Sequence, residues 1–338
     1  MSSILVTGPN GFLGYHVVKA LNARGECPRV LFSPNMDPGD PGAKALKALN
    51  VSIVEGELDD MDSLREACTD VDLVFHLKFT IAMGGGDEVE QSLLRGNVVG
   101  TRNLTNAAAE AGVSRMVVSS SSLAVGINAK PELLDENSDW KEHAFLLPYA
   151  VSRREAEQEA LARPAGEAPD IVVINPSFTL GPDDYVGAPA NSLVKKMSEP
   201  GFRLRAPIGF GLLDVRDYAQ GALLAAERGR PGQRYLLSGE NIDSEKLLQQ
   251  VAEVAGFKPS SFLISLKPWY LRPIVAILNT WKSLRGQSSQ VSPRLFDLWD
   301  RYAWYDTSKA RNDLGWKPRA LRESVQDTIE WQRGRSDV

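Results

Sequence analysis

The stretch that most limits what this chain can become is its beginning, Ser3 to Arg24. A short apolar run, Ile4 to Val6, stops at Thr7-Gly8, and a helical pattern opens almost at once with Phe12, Leu13, Val17, Val18 and Leu21 on one face. The spacing predicts a strand, a tight turn and a helix. Gly8, Gly11 and Gly14 fall in that turn as T-G-x-x-G-x-x-G, where missing side chains let backbone N–H groups and the positive end of the helix approach a pyrophosphate closely. A glycine triplet alone is a weak signal. One that ends a strand and begins a helix points to dinucleotide binding rather than to a structural turn.

The alternation continues along the chain. Strands are expected at Arg29 to Phe32, Val51 to Val54, Asp72 to His76, Arg115 to Val118 and Ile171 to Ile174, with helices at Ala43 to Leu49, Met61 to Cys68, Glu88 to Ala111 and from Tyr149 to Ala162. Strands and helices that alternate in this way build a parallel sheet covered on both faces. Further on, helices are expected at Asn191 to Met197, Val215 to Glu227 and Ser244 to Ala255, and strands at Phe202 to Arg205 and Gln233 to Leu237. The expected fold is α/β, a Rossmann-type doubly wound parallel sheet with a small C-terminal substrate lobe. Residues 1–175 would form mainly the nucleotide domain, and 176–338 a mixture of lobe and returning core elements.

Composition narrows the partners. A net charge of -5 with dispersed Lys and Arg gives no electrostatic reason to bind nucleic acid. Cys27 and Cys68, the two cysteines, lack metal-ligand spacing, so neither a disulfide scaffold nor a metal site is expected. The first strand begins about three residues in, which leaves no room for a signal peptide ahead of the fold. Trp269 to Leu284 is the most apolar late segment, but Pro273, Asn279 and Lys282 interrupt it and it is shorter than the roughly 20 residues that cross a bilayer. A helix covering a pocket is expected there, with no integral membrane segment and a cytoplasmic location.

The spacing T-G-x-x-G-x-x-G resembles the extended short-chain dehydrogenase/reductase family, and later motifs extend the resemblance from Thr7 to Trp331. Val74-Phe75-His76-Leu77 is similar to the family's V-F-H-L-A-A, with Lys78 and Phe79 in place of two alanines. Asn97-Val98-Val99-Gly100-Thr101-Arg102-Asn103-Leu104 resembles N-x-x-G-T-x-N-L, and Leu213 to Ala219 resembles V-D-V-R-D-V-A. Ser119 to Gly126 resembles S-S-x-x-V-x-G, which puts Ser121 at the catalytic serine position with Ser122 as runner-up. Pro148-Tyr149-Ala150-Val151-Ser152-Arg153 resembles P-Y-x-x-S-K. Asn175-Pro176-Ser177 stands where the family has R-P-x, and with Glu227 to Tyr235 it looks most like the dihydroflavonol-reductase-like branch.

The resemblance implies an enzyme that uses NAD or NADP. The tyrosine gives or takes a proton at a substrate oxygen, the serine hydrogen-bonds that oxygen, and a lysine one helical turn on favours tyrosinate. Ser121, Tyr149 and Arg153 would be these residues, with Arg in the lysine's place. Three readings stay open: Arg153 substitutes for the lysine, Lys78 supplies the ammonium from across the site, or oxidoreduction is weakened. The implied cofactor contacts are Gly8, Asn10, Gly11, Phe12, Leu13, Ser33, Leu58, Asp59, Leu77, Lys78, Asn97, Ser119, Tyr149, Arg153, Pro176 and Ser177. The end of the second strand, Phe32-Ser33-Pro34, carries neither the acid that favours NAD nor the base that favours NADP, so the two are not distinguished. Asp59 resembles the family's acid near the adenine and also reads as a helix N-cap.

Three functions follow as expectations. The first is interconversion of a ketone and a secondary alcohol on a mid-sized, fairly apolar small molecule, suggested by the late aromatics Trp269, Tyr270, Trp281, Phe296, Trp299, Tyr302 and Trp304. The second is nucleotide-sugar epimerisation with retained NAD, in which Asn191, Arg203 and Arg216 would grip a diphosphate. The third is an NAD(P)-binding sensor or scaffold without chemistry. The literal Tyr305-x-x-x-Lys309 reads as a decoy, remote from the hydride site. A homodimer through the helices Glu88 to Ala111 and Tyr149 to Ala162 is implied by the resemblance.

Overall fold

The computed structural model describes residues 3–37, 39–82, 87–140, 147–163, 166–259, 263–265, 273–277, 281 and 299–336. The first half alternates as β1 (Ile4–Thr7), α1 (Phe12–Ala23), β2 (Arg29–Phe32), α2 (Pro41–Leu46), β3 (Ser52–Glu55), α3 (Met61–Cys68), β4 (Leu73–His76), α4 (Asp87–Leu93), a π-helical segment (Leu94–Val99), α5 (Gly100–Glu110), β5 (Arg115–Ser119), α6 (Pro148–Leu161) and β6 (Asp170–Pro176). Then come β7 (Phe178–Leu180), α7 (Pro189–Met197), β8 (Leu204–Arg205), β9 (Ile208–Asp214), α8 (Val215–Arg228), β10 (Arg234–Leu237), β11 (Glu240–Asp243), α9 (Ser244–Ala255), β12 (Ile264–Ser265) and β13 (Arg301–Tyr302), with helices Ser308–Leu314 and Leu321–Ser336 last.

Seven parallel strands form one sheet in the order β10-β6-β5-β4-β1-β2-β3. Chain direction across the sheet reverses between β1 and β4, and in sheets of this kind the crevice outside that reversal is where ligands bind. Apolar clusters fill both faces. Val17, Val18, Phe75, Tyr218, Tyr235 and Trp316 lie in one, and Leu5, Leu64, Leu104, Met116 and Val118 in the other. These strands are apolar nearly throughout because both of their faces are covered.

A second sheet was not expected. β9 pairs antiparallel with β11 and parallel with β7 and β13, while β12 and β8 form a separate two-stranded parallel sheet. Leu180, Val194, Met197, Leu212, Leu248 and Val325 form its own core, beside the main one. Boundaries shift modestly from expectation: α2 begins at Pro41 and ends at Leu46, because Asp40 caps it and Pro41 fits the first helical turn. The expected helix Glu88 to Ala111 is present but not uniform: α4, a π-helical turn over Leu94–Val99 and α5 follow one another from Asp87 to Glu110. Of the expected Trp269 to Leu284 helix, residues 273–277 are helical and the rest, apart from Trp281, lies outside the described residues. Among the described residues, no helix is long and apolar enough to cross a membrane.

Candidate active site

The glycine turn is built as its spacing demands. Gly8 has φ +66°, and a Cβ on it would sit 2.7 Å from the Lys78 Cα, so β1 and the end of β4 meet with no room for a side chain. A Cβ on Gly14 would lie 2.0 Å from the Gly8 carbonyl oxygen, which locks the first turn of α1 onto the loop. Gly11 is the N-cap of α1 and offers no side chain to cap it. The N–H groups at the start of α1 therefore face the crevice without a competing side-chain acceptor.

Beneath the turn, Thr7 is the hub of a buried chain. Its Oγ1 accepts from the N–H groups of Leu77 and Lys78, both at 3.1 Å, so its own proton points to His76 Nδ1 at 2.9 Å. That assigns the proton of the imidazole to Nε2, which meets Thr101 Oγ1 at 3.0 Å. Burial, with Arg153 and Lys78 nearby, holds His76 down at about 3, so it is neutral. Asn97, also fully buried, accepts from the Thr80 N–H at 2.7 Å and donates to the Thr80 carbonyl at 3.1 Å and to Ser152 Oγ at 2.9 Å. Ser152 Oγ in turn donates to the Tyr149 carbonyl at 2.9 Å. Asn97 thus ties the loop after β4 to the first turn of α6.

That turn presents Tyr149, and four residues on, along the same helix face, Arg153. Both are buried, at 7 % and 2 % exposure. Arg153 Nη2 donates to the Ser119 carbonyl at the end of β5, and the guanidinium lies 4.6 Å from the centre of the Phe79 ring. Ser121, also buried, caps the short turn Ser122–Ala124 and accepts from the Leu123 N–H at 3.2 Å. Burial pushes the Tyr149 phenol above its ordinary range, while Arg153 and a hydrogen bond with Ser121 pull the other way without prevailing. The sequence expectation of a net depressed phenol is therefore corrected for the protein by itself. Desolvation is the larger effect, and Tyr149 stands protonated at neutral pH.

The choice between the two serines also has a physical basis. Ser121 interacts with Tyr149, whereas Ser122 interacts with Tyr305, whose hydroxyl donates to the Gly126 carbonyl at 3.0 Å. Tyr305 is consequently not remote, as its motif suggested; it packs behind the serine turn. Lys309, its apparent partner, reaches Gln233 at 2.9 Å instead.

Polar atoms left without protein partners mark the crevice as a ligand site. Ser120 Oγ, Ser177 Oγ and Arg153 Nε are buried and unpaired, all near the ends of β5 and β6, whereas Ser119 pairs with the Tyr218 hydroxyl. Buried polar groups are normally satisfied, so such a strip calls for a polar occupant. Together with the glycine cradle, it fits a nicotinamide dinucleotide, whose pyrophosphate Gly8, Gly11 and the start of α1 would hold and whose nicotinamide Ser119, Tyr149, Arg153, Pro176 and Ser177 would hold. Asn175 is committed elsewhere: its Nδ2 donates to the Ser121 carbonyl at 3.1 Å and to the buried Glu157 at 2.8 Å, and Glu157 is paired with Arg234. Glu157 carries no motif, and Arg234 was read only as part of the Glu227 to Tyr235 run, so their pairing was missed in the sequence.

At the adenosine end, Lys78 is held by Glu57 at 2.7 Å, and Ser33 Oγ donates to the same carboxylate. Lys78 is thus engaged by Glu57, and Arg153 is the cation whose charge acts on the Tyr149 phenol. Asp59 is exposed, and α3 is capped by Asp60, which accepts from the Asp62 N–H at 3.1 Å. Leu58 is buried against Gly100, where a Cβ would lie 2.9 Å from its side chain, and its carbonyl accepts from Asn103 at 2.9 Å.

A model of the NAD-dependent epimerase/dehydratase family matches residues 4–238. The chain belongs to this family. It is 31% identical over 342 residues to sterol demethylase protein B of Methylococcus capsulatus, covering 99% of each chain. It is 28% identical over 331 residues to 4-hydroxy-2-methyl-3-oxo-4-farnesyl-3,4-dihydroquinoline-1-oxide ketoreductase of Stigmatella aurantiaca, covering 96% of this chain and 94% of that protein. Among solved structures, gox2253 superposes with a TM-score of 0.82 at 31% identity over 99% of both chains.

This epimerase/dehydratase family member is thus an enzyme of the extended short-chain dehydrogenase/reductase type, using NAD or NADP. Of the residues expected to grip a diphosphate, two are already occupied. Asn191 makes bonds of 2.8 to 3.0 Å to Gly181 and Asp184, and Arg216 is forked onto Asp214 and paired with Asp327 at 2.7 Å. Arg203 borders a separate surface groove with Lys196, Glu199 and Phe202. Tyr302 and Trp304, both half-buried, pack edge to face at 5.2 Å against Gly209 of the second sheet. Trp269, Tyr270, Phe296 and 83–86 lie outside the described residues.

Proposed function

We propose that this protein is a cytoplasmic NAD(P)-dependent oxidoreductase that interconverts a ketone and a secondary alcohol on a mid-sized, fairly apolar substrate, with Tyr149 as acid and base. The observation that carries the reading is the buried Tyr149 phenol with the Ser121 hydroxyl and the Arg153 guanidinium beside it. A nicotinamide held in this crevice would supply or accept the hydride. Ser121 orients the substrate oxygen, and Tyr149, protonated at neutral pH, donates its proton to that oxygen as negative charge develops there. Arg153 stabilises the phenolate left behind. The protonated phenol suits the reductive direction.

The apolar substrate class is supported by two things: the prior engagement of Asn191 and Arg216, and relatives whose names refer to a sterol and to a farnesylated ketone. Net consumption of NADH or NADPH with a panel of polycyclic and prenylated ketones is the expected result. Epimerisation of a nucleotide sugar without net redox change would overturn it. Tyr149→Phe should lower turnover by about 10²- to 10⁴-fold while the fold persists; retained turnover would remove Tyr149 from the mechanism. We further propose a homodimer through the helical run Asp87 to Glu110 together with α6, with Leu94 and Val99 exposed on the first.

A further inference from the structure

We propose, resting on the dinucleotide reading above, that Glu57 makes this site select NAD over NADP, acting at the end of a strand it does not belong to. The end of β2, where selection is normally read, offers Ser33 and no charge. The sheet order sets β3 and β4 on opposite sides of the β1–β2 pair. With strands about 4.8 Å apart, side chains leaving the ends of β3 and β4 start about 14 Å from each other and meet only above β1 and β2. Glu57 and Lys78 do meet there, at 2.7 Å, and Ser33 Oγ donates to the second carboxylate oxygen. The carboxylate is thereby fixed over the end of β2, at 30% side-chain exposure.

A ribose with two free hydroxyls brings donors to such a carboxylate. A ribose carrying a 2′-phosphate brings close to two negative charges instead. Lys78, the basic group shown at this end of the sheet, is already engaged by Glu57, and Arg29 sits at the start of β2, held by the carbonyls of Ala67 and Thr69 at 2.8 and 2.7 Å. Removing the carboxylate would both end the repulsion and free the Lys78 ammonium for the phosphate.

Calorimetric titration of the full chain with NAD⁺ and with NADP⁺ tests this without any turnover. The wild type should bind NAD⁺ at least about tenfold more tightly. In Glu57→Gln the ratio should fall by tenfold or more, and Lys78→Met, which keeps the carboxylate, should keep the NAD⁺ preference. A wild type that prefers NADP⁺, an unchanged ratio in Glu57→Gln, or a preference lost in Lys78→Met would each overturn the assignment to Glu57 while leaving dinucleotide binding in place. A protein that binds neither nucleotide would overturn the dinucleotide reading and this inference together.

Discussion

A guanidinium at 2 % exposure is tolerable only if its donors and its flat face find partners, and Arg153 finds them in the Ser119 carbonyl and the Phe79 ring. An ammonium would use neither in the same way, since it lacks the planar fork and the stacking face. Phe79 and Arg153 therefore make sense as a pair. The charge favours the Tyr149 phenolate against a burial effect that opposes it. Removing the charge by Arg153→Leu leaves burial unopposed, so the phenol should move further up. Alcohol oxidation, which needs the phenolate as base, should then lose rate at neutral pH, and its rise with pH should shift upward by about one unit or more. Reduction, which needs the protonated phenol, should persist to higher pH. The pH–rate profiles in both directions check this, and an unmoved oxidative profile would take Arg153 out of the proton step.

Between α4 and α5 the helix widens into a π-helical turn, Leu94–Val99. Gly96 lies within it because a Cβ there would come within 2.3 Å of Thr80 Oγ1, on the loop that Asn97 also holds. The widened turn so serves the active-site side of the helix. It also has an effect on the outer side: hydrogen bonds five residues apart bring positions i and i+5 onto one face. Leu94 and Val99 are such a pair, at 43% and 36% exposure. An apolar pair on an otherwise polar helical surface is the expected centre of a helix-to-helix contact with a second copy. The wild type should sediment at about twice the chain mass, and Leu94→Glu with Val99→Glu should sediment as a monomer with its melting temperature measured alongside. A monomeric wild type would end the dimer proposal.

Across the whole molecule, what could be read from the sequence was what depends on neighbours in the chain. The β1 turn and α1, the bounds of α3 and α9, and Tyr149 one turn before Arg153 are all local patterns. The second sheet was not legible, because β9 carries Gly209 and Gly211 and β11 is polar at Glu240, Asn241 and Asp243, so neither shows a strand's apolar alternation. Glu57 was missed because Ser33 and Lys78 are 24 and 21 residues away, and an acid in an acidic loop reads as solvated. The two described histidines show a similar long-range burial with a consequence for the entire fold. His76 lies beneath the glycine turn, and His16 joins α1 to the Pro182 carbonyl at 3.1 Å. Burial holds them at about 3 and about 4 respectively. In the unfolded chain both return to about 6.5 and take up a proton that the native state refuses. A depressed histidine therefore costs stability as pH falls through the unfolded value, at up to about 1.4 kcal/mol per pH unit for each. Between pH 6 and 5 the carboxylates are still largely ionised in both states, so the histidines should dominate. The unfolding free energy from urea titrations should fall across that interval, and His16→Gln or His76→Gln should each remove about half of the slope even if it lowers stability at every pH. A wild type whose stability is level from pH 6 to 5 would mean that these imidazoles are open to protons in the native fold, and the buried Thr7–His76–Thr101 chain would have to be redrawn.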